Sequence, residues 1–225
     1  MTKAIIFDCD GVLVDSEILA LDVELAACAE LGLHYDLGDY KARFMGMPTQ
    51  AFFDGISADY RALKGHDIPA DFVERCYGKY RASLHRLKEV DGALNAVKRL
   101  TQHKAVASSS KADALEEKLR RTALWDHFAP HVYSTDLVAK GKPAPDIFLH
   151  AAKMIGVAPS DCLVLEDSVN GVKAARAAKM RVWGFTGGGH MDEDSSMRLL
   201  AAGAERVVGH WDQLASLIES VEISA

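Results

Sequence analysis

A doubly wound parallel α/β sheet interrupted by a block of helices is the fold class this sequence predicts, and three observations carry the prediction. Short apolar runs recur at Ala4-Ile5-Ile6-Phe7, Ala105-Val106-Ala107, Cys162-Leu163-Val164-Leu165 and Arg181-Val182-Trp183-Gly184-Phe185, the pattern of strands covered on both faces. Between the later runs lie stretches whose apolar residues return every three or four positions, as on an amphipathic helix. Residues 16–87 break the alternation, because Leu19, Val23, Ala26, Ala27 and Leu31, then Phe72, Cys76, Tyr80 and Leu84, keep helical spacing with no convincing strand between.

The elements follow in order. Ala4 to Phe7 is a continuous apolar run and suits a central strand. The insertion begins near Ser16, and its polar borders, Val14-Asp15-Ser16 and Leu87-Lys88-Glu89, suit a hinge over the strand ends. The expected division is an α/β core of residues 1–15 and 88–225 with a helical cap of residues 16–87. Helices are expected over 92–102, 111–123, 144–154 and 170–179, alternating with the remaining strands. The Gly187-Gly188-Gly189 run reads as a loop after the strand ending at Phe185. Sheets of this kind bind ligands beyond the carboxyl ends of their strands.

Composition sets the bounds. At 225 residues the chain suits one core with a modest insertion, and 49% apolar with 26% charged residues is ordinary globular usage. Lys and Arg number 26 against 32 Asp and Glu, a net charge of −6 that offers no basic footprint for nucleic acid. The opening MTKAIIFDCDG has one basic residue and an apolar run too short for a secretory segment, and no window suits a membrane span, so a cytoplasmic protein is expected. Cys9, Cys28, Cys76 and Cys162 are widely spaced and read as reduced thiols rather than a zinc or disulfide framework. A monomer is the default expectation.

The densest chemical feature is Asp8-Cys9-Asp10-Gly11 directly after the first strand. Two carboxylates two positions apart on extended backbone stand about 6.6 Å apart on one side, and Gly11 permits a turn that aims both at one centre. Like charges that close need a cation or a shared proton, and Mg²⁺ with oxygen ligands is the economical answer; an exposed polar strand end is the other reading. Glu166-Asp167 ends the third run in the same way, so Asp8, Asp10 and Asp167 can converge on one sheet edge, although Asp167-Ser168 also reads as a plain helix start. Ser108-Ser109-Ser110-Lys111 joins a strand end to a helix and offers hydroxyls and N–H groups to an anion, or simply a cap. Lys142, in Gly141-Lys142-Pro143-Ala144-Pro145-Asp146, supplies one fixed positive charge, or is a surface lysine. The set of four, in that order and each at a predicted terminus, is what raises the functional reading.

With those four motifs the chain resembles the haloacid dehalogenase-like hydrolases, and within them the subgroup with a small helical cap that includes sugar-phosphate phosphatases and β-phosphoglucomutase. The resemblance runs through Phe7 to Glu17, Ala107 to Lys111, Lys142 to Asp146 and Leu165 to Ser168, nearly the whole chain. It implies a Rossmann-like core and a phosphatase that hydrolyses a small phosphate monoester, such as a sugar phosphate or 6-phosphogluconate, through an aspartyl-phosphate intermediate. By that likeness Asp8 is the nucleophile, Asp10 the acid and base, Ser108 a phosphate hydroxyl donor and Lys142 the positive clamp. Asp8, the Asp10 carbonyl and Asp167 would hold Mg²⁺, with Glu166 in its inner or outer shell. Ser108, Ser109, Lys142 and Thr49 would meet the substrate. Asp10 is expected to be kept protonated by its acidic neighbours.

A phosphomutase is the alternative function, but the histidine and arginine expected of β-phosphoglucomutase are replaced here by Ala20 and Thr49. Dehalogenation is disfavoured by Asp10, and a non-catalytic binding protein on the same scaffold by the intact acids and lysine. Of nine histidines, His190 alone is placed to approach the site. Trp125, Trp183 and Trp211 are read as packing residues, and Phe44, Met45, Met47, Phe52 and Phe53 as cap core. Arg43, Thr49, Gln50 and Lys64 are the cap's candidates for substrate recognition.

Overall fold

A computed structural model describes residues 2–44, 47, 49–214 and 216–217; the side chains of Ala42 and Thr49 also lie outside that description. The chain divides into two compact units, Met1–Glu17 with Leu87–Ala225, and Ile18–Arg86.

The first unit is built on six strands: β1 (Ala4–Phe7), β2 (His103–Ser108), β3 (Val132–Ser134), β4 (Cys162–Glu166), β5 (Arg181–Phe185) and β6 (Arg206–Val208). They form one sheet in the order β3-β2-β1-β4-β5-β6, and every neighbouring pair is parallel. Strand order reverses direction at β1 and β4, which makes their carboxyl ends the switch point where such sheets bind ligands. The register pairs Phe7 with Leu165, so Asp8 follows one strand directly beside Glu166 on the other. The sequence reading does not anticipate β3 and β6. Both are three-residue edge strands, too short for a pattern to show.

The helices, numbered along the whole chain, are α1 (Ser16–Glu30), α2 (Leu37–Phe44), α3 (Thr49–Lys64), α4 (Phe72–Ser83), α5 (Ala93–Arg99), α6 (Ala112–Arg121), α7 (Trp125–Phe128), α8 (Asp146–Ile155), α9 (Val169–Ala177) and α10 (Ser195–Ala201). Each helix predicted between the strands is present but shorter than expected, because caps and turns take the ends. Period-2 alternation divides the core between the sheet's faces. Ala4, Ile6, Ala105, Ala107, Val164 and Val182 join a cluster with Ile147 and Phe148 of α8 and Val172 of α9. Phe7 packs instead on Phe128 and Trp211, each with ring centroids 5.6 Å away. Trp183 and Trp211 are buried, as packing residues should be, and Trp125 stacks under the Arg120 guanidinium.

The second unit is helical, with its own core of Leu21, Cys28, Tyr40, Phe44, Phe52, Ile56, Phe72 and Cys76. Each large apolar side chain fully buried in this way contributes about 1.5–3 kcal/mol. Of the expected apolar stripe, Phe44 and Phe52 are buried and Phe53 packs on them, whereas Met47 is exposed. Met45 lies outside the described residues. The four cysteines are free and buried. Among the described residues no helix is long and apolar enough to cross a membrane.

Candidate active site

The turn after β1 sets the first two acids. β1 stops at Phe7, so Asp8 and Asp10 do not continue an extended strand as the spacing argument assumed. The chain instead coils through Gly11 at φ +76°, with Gly11 N donating to the Val14 carbonyl at 2.8 Å and Leu13 N to the Cys9 carbonyl at 2.9 Å. A side chain at Gly11 is excluded twice, by that dihedral and because its Cβ would lie 2.0 Å from Asp167 Oδ2. Asp167, more than 150 residues along the chain from Asp8, therefore lies against the first motif's turn.

Asp8 and Asp10 then part company. Lys142 Nζ donates to Asp8 Oδ1 at 2.5 Å and to Glu166 Oε1 at 2.5 Å, and lies 4.9 Å from the Phe148 ring centroid. Burial works against the Lys142 charge, but Asp8 and Glu166 outweigh it and hold the ammonium above its ordinary proton affinity. The second Glu166 oxygen accepts from Ser168 N at 2.8 Å and Ser168 Oγ at 2.9 Å, and a Cβ at Gly171 would fall 1.8 Å from that carboxylate. Glu166 is thus folded back on the start of α9. Ser168 caps that helix by accepting from Gly171 N, so this motif does start a helix, and the same turn carries the Glu166 that Lys142 meets.

Asp10 faces the other way. Its Oδ1 accepts from Lys118 Nζ at 2.5 Å and from Ser16 Oγ, and its Oδ2 accepts from Ser110 Oγ at 2.6 Å. Burial pushes the Asp10 carboxyl up, yet the Lys118 ammonium and the hydrogen bonds from Lys118, Ser110 and Ser16 outweigh it and hold the carboxyl below its ordinary value. Acidic neighbours were expected to keep a proton on Asp10, but a buried lysine sits where only acids were counted, and it pulls the carboxyl down instead. Asp8 behaves oppositely. Burial lifts it, Lys142 opposes, and Glu166, Asp167 and Asp10 add to the lift, so the carboxyl stands well above its ordinary value. Asp167 is raised in the same direction by burial, Glu166 and Glu17, with His190 Nε2 3.2 Å from its Oδ2.

The anion side is partly as expected. Ser108 ends β2 fully buried, and its Oγ accepts from Ser110 N at 3.0 Å, which leaves the hydroxyl proton to be donated. Ser109 is exposed and its carbonyl accepts from Thr135 Oγ1 at 3.3 Å. Lys118, Ser110 and Ser16 were not anticipated. The available signal was helical spacing, since Lys118 shares a face with the apolar Leu115 and Leu119. In the helical unit, Arg43 is clamped by both Asp59 oxygens at 2.6 and 2.8 Å and Gln50 donates to Asp54 at 2.9 Å, so their polar groups are engaged at home rather than free for a substrate. Lys64 is exposed, and the Thr49 side chain lies outside the described residues.

Among the described residues no three His, Cys, Asp or Glu side chains form a ready-made metal cage. The four-acid set does not form a cage because lysines already hold three of the carboxylates, Asp10 through Lys118 and Asp8 and Glu166 through Lys142. Asp8 keeps only one oxygen on Lys142 and Asp167 has no lysine bond among the described residues, both are lifted by burial and neighbouring acids, and the two motifs set four carboxylates against two lysines. That excess of two negative charges on hard oxygen donors fits a divalent cation of the magnesium kind, held by Asp8 and Asp167 rather than by all four acids.

A family model described as haloacid dehalogenase-like hydrolase matches residues 2–179. The chain is 35% identical over 211 residues to the phosphorylated carbohydrates phosphatase of Thermotoga maritima, covering 92% of this chain and 94% of that one. It is 31% identical to the β-phosphoglucomutase of Bacillus subtilis over 79% of this chain and 80% of that protein. A crystal structure of a family hydrolase from Deinococcus radiodurans, with bound phosphate and sodium, superposes with a TM-score of 0.85 at 34% identity, covering 97% of this chain and 96% of that one. The chain spans only 17% and 48% of the length of two longer Arabidopsis thaliana relatives that it also matches.

Proposed function

The chain belongs to the haloacid dehalogenase-like hydrolases, and from that premise we propose that it is a magnesium-dependent phosphatase acting on a small phosphate monoester, a sugar phosphate or phosphosugar acid. One observation carries the reading: Lys142 bridges Asp8 and Glu166 at the switch point of the sheet while Asp167 lies against the Gly11 turn. Phosphoryl transfer asks mainly for alignment and charge compensation, which this arrangement supplies.

In this reading Asp8 attacks phosphorus in line, and the P–O bond to the leaving group breaks as the Asp8–phosphoryl bond forms. Lys142 holds the nucleophile in place and faces the charge of the transferring group. Ser108 donates its free hydroxyl proton to a phosphoryl oxygen. Asp10 must take up a proton before the ester is cleaved, against the pull of Lys118; it gives that proton to the departing oxygen and regains one from the water that cleaves the aspartyl phosphate. Asp8, the Asp10 carbonyl and Asp167 would hold Mg²⁺, which when bound supplies further charge compensation, and Glu166 would act from outside by fixing Lys142. The bonds from Lys118 favour the carboxylate form of Asp10, so the water-activating half of the cycle suits this site best.

The relatives' names support a sugar phosphate as the substrate class. The Bacillus subtilis relative keeps a phosphosugar mutase in view, against the Ala20 and Thr49 replacements. A panel of hexose phosphates, pentose phosphates and 6-phosphogluconate, read by phosphate release with and without Mg²⁺, tests the reading. Release that requires the metal and favours a sugar phosphate is expected. Isomerisation of β-glucose 1-phosphate without phosphate release would instead establish the mutase.

A further inference from the structure

We propose that Lys118 is a positioning residue for Asp10, which it holds in the orientation from which that carboxyl exchanges protons with the reacting oxygen; this rests on the role given to Asp10 above. Lysine is almost never fully buried unless paired, yet Lys118 is only 8% exposed. It lies on the inner face of α6 between Leu115 and Leu119, which fix where its stem runs. Removing an ammonium from water costs several kcal/mol unless geometry and further hydrogen bonds offset it. Here they do, since Nζ reaches Asp10 Oδ1 at 2.5 Å and Ser110 Oγ at 3.1 Å.

The arrangement is more than a pair. Ser110 Oγ donates to the other Asp10 oxygen, and Ser16 Oγ donates to the same oxygen as Lys118. Donors from three segments, the start of α1, the loop after β2 and α6, thus take both oxygens and fix the rotation of one carboxylate. Lys142 cannot substitute, because its bonds go to Asp8 and Glu166. A salt bridge serving only the fold has no reason to single out the acid two residues beyond Asp8.

The full chain with Mg²⁺ is assayed on an alkyl ester, the best sugar phosphate, and on p-nitrophenyl phosphate, whose leaving group needs no proton. Lys118→Met is expected to lower kcat on the alkyl ester about 10- to 100-fold with KM within about twofold, the size of effect that misplacing a reacting group produces. The loss on p-nitrophenyl phosphate is expected to be smaller, and Lys118→Arg to restore part of it because it keeps the charge and donors. In an Asp10→Asn background Lys118→Met should add nothing, since its effect runs through Asp10. If Lys118→Met fails to fold, Lys118→Gln carries the same comparison. Parent-like kcat in the folded variants, or equal losses on both esters that add to those of Asp10→Asn, would overturn the proposal. An Asp10→Asn variant that turns over alkyl esters normally would instead overturn the role of Asp10 itself.

Discussion

Asp8 and Asp10 sit on one turn, each beside a buried lysine, and their surroundings move their proton affinities in opposite directions. The difference lies in how each lysine is shared. Lys142 divides its charge between Asp8 and Glu166, and Asp167 adds a further negative neighbour, so Asp8 is left short of positive charge. Lys118 salt-bridges Asp10, and the Ser16 and Ser110 hydroxyls donate to the same carboxylate. One region invites a cation and an electrophile; the other is already satisfied and holds a group in place. Lysine count alone therefore does not set the chemistry of a carboxylate; the ratio of donors to acids around it does.

Lys142→Met breaks this contrast most severely. It strands Asp8 and Glu166 as uncompensated buried charges, and loss of one partner of a buried pair costs about 3–5 kcal/mol, so the urea midpoint should fall sharply. A midpoint close to the parent's would mean that Asp8 and Glu166 do not depend on that charge.

Magnesium sharpens the contrast on a smaller scale. The raised pKa values of Asp8 and Asp167 mean that the folded metal-free chain keeps protons the unfolded chain has released, so this contribution to stability is present below the unfolded carboxylate value and lost as pH rises through the folded one. A divalent cation takes the protons' place. The rise in Tm on adding Mg²⁺ should therefore be larger at about pH 8 than at about pH 5, and EDTA should reverse it. An equal rise at both, or none, would remove these two carboxylates as ligands.

The smallest effect belongs to the helical unit. Arg43→Ala removes a bidentate bond to Asp59, but the arginine side chain is 47% exposed, so the loss should stay below about 1 kcal/mol in a urea titration. A loss several times larger would show that the pair organises α2 and α3 rather than decorating them.

These pairs also explain what the sequence discloses. Asp8, Glu166 and Asp167 could be read as neighbours because apolar runs locate strands, and in a parallel sheet every strand's carboxyl end shares one edge; Lys142 was read from its place among prolines before a helix and from the family resemblance. Lys118 was hidden because lysine on an amphipathic helix usually marks the wet face, and only its position between Leu115 and Leu119 said otherwise. The downward pull on the Asp10 carboxyl was missed for the same reason. Arg43 looked available because Asp59, its partner, is sixteen residues away on another helix. Gln50 could have been paired with Asp54 from their spacing of four. Strands β3 and β6 escaped because three residues show no period.

The most direct test follows the phosphoryl group itself. Enzyme mixed with a sugar phosphate and Mg²⁺, quenched in acid within a turnover and digested for mass spectrometry, should carry a hydroxylamine-labile phosphoryl group on the peptide containing Asp8, and Asp8→Asn should carry none. Full turnover with no such adduct at Asp8, or an adduct that survives Asp8→Asn, would contradict the account.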